Sequence, residues 1–238
     1  MGESYLQPDN PAPKSLQLRL AHLITRQHGP FRRDQLPDIG MSEEQIEYAV
    51  EIRQFHAVYP EVYVLGNREL SELGSLSAAV LACGEGAVLG RRSAGKVRGC
   101  VKRYDGPIEV LVPRANAPKF DGIDAHKVTF GPFEVGSCHN IPTTSLARTF
   151  FDLAKVLERK ELIRAFEESR KRGLTAKQLE RLLRDHKRER GTVAVRSILE
   201  RQATYDGFSN GGFEDAFWEW LLTLRLPELP KRNANVRL

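Results

Sequence analysis

"SEEQIEYAVEIRQFHAVYPEVYVLG" (residues 42–66) decides how the first part of this chain folds. Ser42 precedes Gln45 by three residues, the spacing at which a serine hydroxyl caps a helix and the glutamine side chain returns to the cap. Ile46 and Val50 then recur at a helical interval, so a buried stripe is expected on a short helix. After Arg53 the pattern changes. "FHAVY" and "VYVL" are β-branched and aromatic runs meeting at Pro60-Glu61, which reads as a hairpin. Upstream, Leu16, Leu20, Leu23 and Ile24 share one face of a helix expected to end at Gly29-Pro30. "FRRDQLPDIG" (31–40) predicts a second short helix, broken at Pro37 and closed at Gly40. Three helices and a hairpin give the order of a winged helix-turn-helix, although another small α+β bundle has the same order. Residues 1–14 are polar, carry Pro8, Pro11 and Pro13, and read as a disordered tail.

Beyond the hairpin, residues 70–84 read as a helix and "GAVLGRRSAGKVRG" as a strand and a short helix. "PIEVLVPR" and "GIDAHKV" alternate like half-buried strands, and "FGPFEVGSCHNIP" adds one more. In "IPTTSLARTFFDLAKVL" (141–157), Ser145 is the expected N-cap of the strongest helix. Leu146, Phe150, Leu153 and Leu157 form its stripe, with Ala147, Phe151 and Ala154 beside it. Arg148, Asp152 and Lys155 are left as a polar row, expected to be a solvated charge stripe and not a catalytic pair. Three more helices follow, one opened by a Thr175–Gln178 capping box, and "YDGFSNGG" reads as a linker. The last stretch, 211–238, offers a helix with Phe213, Phe217, Trp218, Trp220 and Leu224, a proline-bounded loop and the start of a strand. The expected class is α+β. A winged-helix unit spans 15–66, a mixed α/β body with a helical C-terminal half spans 67–205, and a further segment spans 206–238.

Composition narrows the function classes. The 238 residues carry a net charge of +5, a mild basic excess compatible with nucleic acid. No apolar run is long enough to span a bilayer, the N-terminus has no signal-peptide core, and Leu6 stands where myristoylation wants Ser or Thr. No membrane partner is expected. Cys83, Cys100 and Cys138 are far apart, which points to reduced thiols and a cytoplasmic location. Cys138-His139 has no second pair at zinc spacing, so no metal is expected. Neither a P-loop nor a dinucleotide fingerprint is present, and no cofactor is expected.

The order "VYVLG", "AAVLACGEGAVLGRRSA", "IEVLVPR" and "IPTTSLARTFFDLAKVL" resembles the AbiEi-type antitoxin-like regulators, over roughly residues 15–238. "IPTTSLARTFFDLA" is its most specific part. The resemblance implies a DNA-binding N-terminal unit, a transcriptional role, and a nucleotidyltransferase-type toxin encoded nearby in a type IV toxin-antitoxin-like pair. One branch carries a C-terminal domain similar to very-short-patch-repair endonucleases, which begins as "FEDAFWEWLLTLRLPELP" does here. Glu214 falls where such domains often carry an acidic residue near the metal. The other ligands would lie past Leu238, so a truncated, inactive fragment of a restriction-endonuclease-like domain is expected. A divalent ion needs several oxygen ligands, and one glutamate supplies too few. Asp105 near Glu109 is not followed by the lysine that motif requires. The chain is therefore expected not to be an enzyme. The alternatives are a remnant of a PD-(D/E)xK-type nuclease and a protein-interaction module that has lost DNA binding.

For DNA, Arg19, Arg26, Arg32 and Arg33 suit phosphate contacts, and Gln45 and Tyr48 could reach base edges. Arg53 and His56 supply the only basic groups of the recognition helix and hairpin. Against them stand Glu43, Glu44, Glu47 and Glu51, which phosphates repel. A second basic cluster, Arg91, Arg92, Lys96, Arg98, Lys102 and Arg103, reads either as a contact patch for nucleic acid or an acidic partner, or as a solvated loop.

Overall fold

A computed structural model describes residues 15–113 and 117–207, with side chains through Glu200. The expected tail over 1–14, Glu214, and the endonuclease-like segment from 208 onward lie outside the described residues. The fold is mixed α+β.

Helix α1 (Leu16–Arg26) is capped by Ser15, and β1 (Phe31–Arg32) follows. Two single-turn 3-10 helices, Arg33–Gln35 and Pro37–Ile39, then stand where a second helix was expected. Pro37 has no amide hydrogen to continue an α-helical ladder, and Gly40 closes the turn in the left-handed region at φ 88°. Helix α2 (Glu43–Glu51) opens with the expected box: Ser42 Oγ accepts from Gln45 N, and Gln45 Oε1 accepts from Ser42 N at 2.9 Å. The hairpin β2 (Phe55–Tyr59) and β3 (Val62–Leu65) follows. β1 also pairs antiparallel with β3, giving the order β1-β3-β2. Phe31, Leu36, Ile46, Ala49 and Phe55 make this unit's core, and the rings of Phe31 and Phe55 meet edge to face at 4.9 Å.

The body begins with α3 (Glu72–Cys83) and continues through β4 (Val88–Leu89), α4 (Arg91–Val97), β5 (Ile108–Val112), β6 (Ile123–Lys127), β7 (Val135–Cys138) and β8 (Ile141–Thr144). The five strands lie in the order β6-β5-β4-β8-β7. β5–β6 and β4–β8 are parallel, while β4–β5 and β7–β8 are antiparallel. β5 is buried from Glu109 to Val112, which corrects the half-buried expectation: β4 and β6 flank its two edges, and helices α3 and α4 both pack against it. β8 falls in "IPTT", where the sequence shows only the approach to a helix. Its Thr143 and Thr144 are wholly buried, and their hydroxyls are satisfied there by Ile141 O and the Thr149 hydroxyl.

Ser145 caps α5 (Leu146–Leu153) as expected, but the helix stops four residues short of Leu157. Gly95 of α4 admits this helix. A Cβ there would lie 2.9 Å from Val101 Cγ2 and 3.2 Å from the Leu153 methyls, so the glycine buys close packing at a cost in helix propensity. Helices α6 (Arg159–Lys171), α7 (Ala176–Asp185) and α8 (Thr192–Gly207) complete the description. Tyr205–Gly207, expected as linker, is the end of α8. The Thr175–Gln178 box is present on α7.

The polar row on α5 is not solvated. Arg148 is 1% exposed and Asp152 3% exposed. Arg148 Nε donates to Asp152 Oδ2 at 2.9 Å and Nη1 donates to Glu134 Oε2 at 2.5 Å. Lys155 Nζ donates to Asp152 Oδ1 at 2.9 Å and Glu189 Oε2 at 2.7 Å. His186 bridges back, Nδ1 to Glu189 Oε1 and Nε2 to Glu134 Oε1, both at 2.5 Å. The six side chains close a ring in which anions and cations alternate when His186 is protonated. This ring fastens the segment before β7, helix α5 and the α7–α8 connection to one another. The core of Phe150, Phe151, Leu153, Leu162, Leu179 and Val195 lies among the same helices.

Candidate functional site

The residues expected to meet DNA do not form one free basic face. Arg33 is committed to α2, pairing with Glu43 and, at 3.7 Å, with Glu47. Arg32 pairs with Asp34 at 2.9 Å and donates from Nη1 to Leu81 O at 3.2 Å, so it ties the N-terminal unit to α3. Gln45 is used in its capping box. Arg19 and Arg26 lie on the side of α1 that turns toward α3, along a cleft. What the surface of α2 presents is Tyr48, 61% exposed, with Glu44, Glu47, Glu51 and Ile52 around it. Arg53 follows it, exposed and in the left-handed region at φ 57°. His56 is half-buried on β2. Among the described residues, Arg26 and Arg53 form no ion pair.

The second basic cluster is likewise divided. Arg92 donates to Val156 O at 2.6 Å and stands over the Tyr104 ring. Lys96 pairs with Glu72 at 2.9 Å. Arg98 Nε donates to Thr144 O at 2.8 Å. These three hold α4 against α3, α5 and β8. Lys102 and Arg103 are exposed.

Arg91 enters a cluster that the sequence reading missed. β5 and β6 run parallel with Glu109 beside Asp124 and Leu111 beside His126. Side chains two apart on a strand share a face, so ligand atoms of Glu109, Asp124 and His126 come within 4.8 Å of one another. The legible signal was Asp-x-His on one strand beside a glutamate on the next; the register that joins them was not. Glu109 is 3% exposed and serves α4, its Oε2 accepting from Arg92 N at 2.7 Å. Burial pushes its carboxyl above the usual value, while the Arg92 amide and the Arg91 and Arg92 charges pull the other way. Arg91 Nη1 stands 2.7 Å from His126 Nε2, and Asp124 Oδ2 stands 2.8 Å from the same nitrogen. A guanidinium only donates and an ionised carboxylate only accepts, so His126 Nε2 serves one of the two in a given tautomer, and the Arg91 charge stands where a cation would have to sit. Two carboxylates and an imidazole are a plausible donor set for a divalent ion, but an ion could enter only after Arg91 withdrew.

None of the three cysteines is in a disulfide among the described residues; Cys83 and Cys100 are buried and Cys138 is half-buried. Burial raises the pKa of both Cys100 and Cys138. Among the described residues no helix is long and apolar enough to cross a membrane.

No family model matches the chain, and no curated protein is similar to it. Among solved structures, the RV2827C protein from Mycobacterium tuberculosis is similar over 74% of this chain and 73% of its own, at 15% identity and a TM-score of 0.44.

Proposed function

We propose that this chain is a non-enzymatic DNA-binding transcriptional regulator of the antitoxin-like kind. The observation that carries this reading is the pairing of β1 with β3 beside the α2–β2–β3 succession. Helix, strand, turn helices, second helix and hairpin pack on one core, an order that supports reading this unit as a winged helix-turn-helix. Tyr48 and Arg53 are the groups that α2 and its exit would offer to a groove. A transcriptional role needs no contact with a toxin, so a toxin encoded nearby is compatible with this reading and is not required by it.

A second reading follows from charge. Glu44, Glu47 and Glu51 surround Tyr48 on the exposed side of α2, and such a face suits a basic protein surface better than phosphate. Fluorescence anisotropy against duplexes tiling the region upstream of the chain's own gene separates the two. Saturable binding that falls with salt, and falls further for Arg53→Ala, supports the regulator. No binding at low salt, from a folded protein, would sink it and leave the interaction module.

A further inference from the structure

Helix α1 turns a polar stripe inward. Arg19, His22, Leu23, Arg26 and Gln27 follow the i, i+3, i+4, i+7, i+8 rule for one helical face, and all five line a cleft of about 890 Å³. Its other walls include Val80 and Leu81 of α3, Pro142 of β8, and Ile39 with Asp38 of the second 3-10 turn. The cleft therefore lies between the N-terminal unit and the body. Its volume falls in the range of sites for small organic ligands, roughly 300–1,000 Å³.

Two atoms in this lining are unfinished. Arg19 Nε and Gln27 Oε1 are both closed to solvent and, among the described residues, have no hydrogen-bond partner. They cannot serve each other: eight residues along a helix separate them by about 12 Å. The Arg19 guanidinium has thus lost part of its water with no anion in exchange, and an arriving anion has less left to displace. Among the described residues of the lining Asp38 is the one carboxylate, against Arg19, His22 and Arg26, and it forms no ion pair with either arginine.

We propose that this cleft is a binding site for a small organic anion. Its acidic group meets the terminal nitrogens of Arg19, its apolar body lies over Leu23 against Val80 and Leu81, and a donor at its far end reaches the Gln27 amide once that side chain turns into the cleft. The inference is independent of DNA binding, because it rests on the cleft alone. A phosphate and a carboxylate share the recognising chemistry, and the test separates them.

The test is calorimetric titration of the full chain with phenyl phosphate, phenylacetate and inorganic phosphate. At least one aryl anion is expected to bind about tenfold more tightly than inorganic phosphate, or better, since the apolar walls contribute only to the former. Phenyl phosphate ahead of phenylacetate identifies the phosphate class, and the reverse identifies carboxylates. Arg19→Gln is expected to weaken that binding about tenfold or more. The parent protein is expected to prefer 4-hydroxyphenyl phosphate to phenyl phosphate, and Gln27→Leu, which leaves the charge intact, is expected to abolish that preference. Three outcomes would overturn the site: no saturable heat from either aryl anion, inorganic phosphate binding as tightly as they do, or undiminished binding to a folded Arg19→Gln protein. Should that variant not fold, undiminished preference for the hydroxylated probe in Gln27→Leu has the same force.

Discussion

Glu134 and His186 are 52 residues apart in the chain and meet at 2.5 Å, the contact that closes the charged ring around Arg148. It joins the loop entering β7 directly to the turn between α7 and α8, which the ring otherwise links only through Arg148, Asp152 and Lys155. Glu134 is 2% exposed, so each of its oxygens must be satisfied from within. His186 serves one and Arg148 the other.

Removing Arg148 takes the partner from one oxygen of each of two buried carboxylates, Glu134 and Asp152. Arg148→Ala is expected to cost about 3–5 kcal/mol of stability, the range for breaking a buried pair by deleting one partner. Urea denaturation measures it. Adding Glu134→Gln and Asp152→Asn should recover part of the loss, because neutral amides are cheaper to leave buried. A single variant within 1 kcal/mol of the parent would show that the ring does not anchor α5.

The ring also sets a pH window. Burial pulls the His186 imidazole down, but hydrogen bonds to Glu134 and Glu189, with their charges, outweigh it and hold its pKa above the ordinary 6.5. A group raised on folding stabilises fully below its unfolded value and loses that contribution as pH climbs through its folded one. Stability should therefore decline above pH 6.5, and His186→Gln should flatten the decline. At the acid end burial pushes Glu134 and Glu189 upward. Hydrogen bonds from His186 to Glu134, and from Lys155 and His186 to Glu189, more than offset it and leave both below the ordinary 4.5. Their contribution is present above pH 4.5 and disappears as pH falls through their depressed values. Melting temperatures of parent and variant from pH 4 to 9 provide the check; parallel curves above pH 6.5 would remove His186 as the cause.

Gly74 controls how closely α3 approaches the N-terminal unit. A Cβ there would stand 2.7 Å from the carbonyl oxygen of His28, a backbone atom that cannot rotate away. Gly74→Ala is expected to destabilise by roughly 1–3 kcal/mol, as overpacking does, despite the better helix propensity of alanine. In Gly95→Ala the obstructing atoms are the side chains of Val101 and Leu153, which can shift. Chemical denaturation should therefore rank Gly74→Ala as the more damaging of the two.

If DNA binds, its salt dependence reports how many arginines are free. Four phosphate contacts, from Arg19, Arg26, Arg32 and Arg33, would give a log–log slope of roughly −3.6. With Arg32 and Arg33 engaged internally and Arg19 half-buried with its Nε closed to solvent, two contacts, from the exposed Arg26 and Arg53, should give roughly −1.8. Arg33→Ala should then change the slope little. A slope near the larger value would mean that the ion pairs with Glu43 and Glu47 open on binding.

The sequence by itself determined the local pieces, because their causes are local. Ser42, Ser145 and Thr175 cap helices through atoms only three residues away, and the runs "FHAVY" and "VYVL" carry their strand preference wherever they occur. Pro37 was legible as a breaker but not as the centre of two 3-10 turns, since pairing of β1 with β3 draws the preceding residues into a sheet. Only the tertiary structure decided which charges are buried. Arg148 and Asp152 on their own match an exposed i,i+4 pair, and nothing near them in sequence shows that His186 and Glu189 return to enclose them. Whether a charge is solvated depends on partners supplied by distant segments. The same holds for Arg32, Arg33 and Arg91, whose basic character was plain and whose prior commitments were not. It holds too for Glu109, Asp124 and His126, which strand register alone brings together.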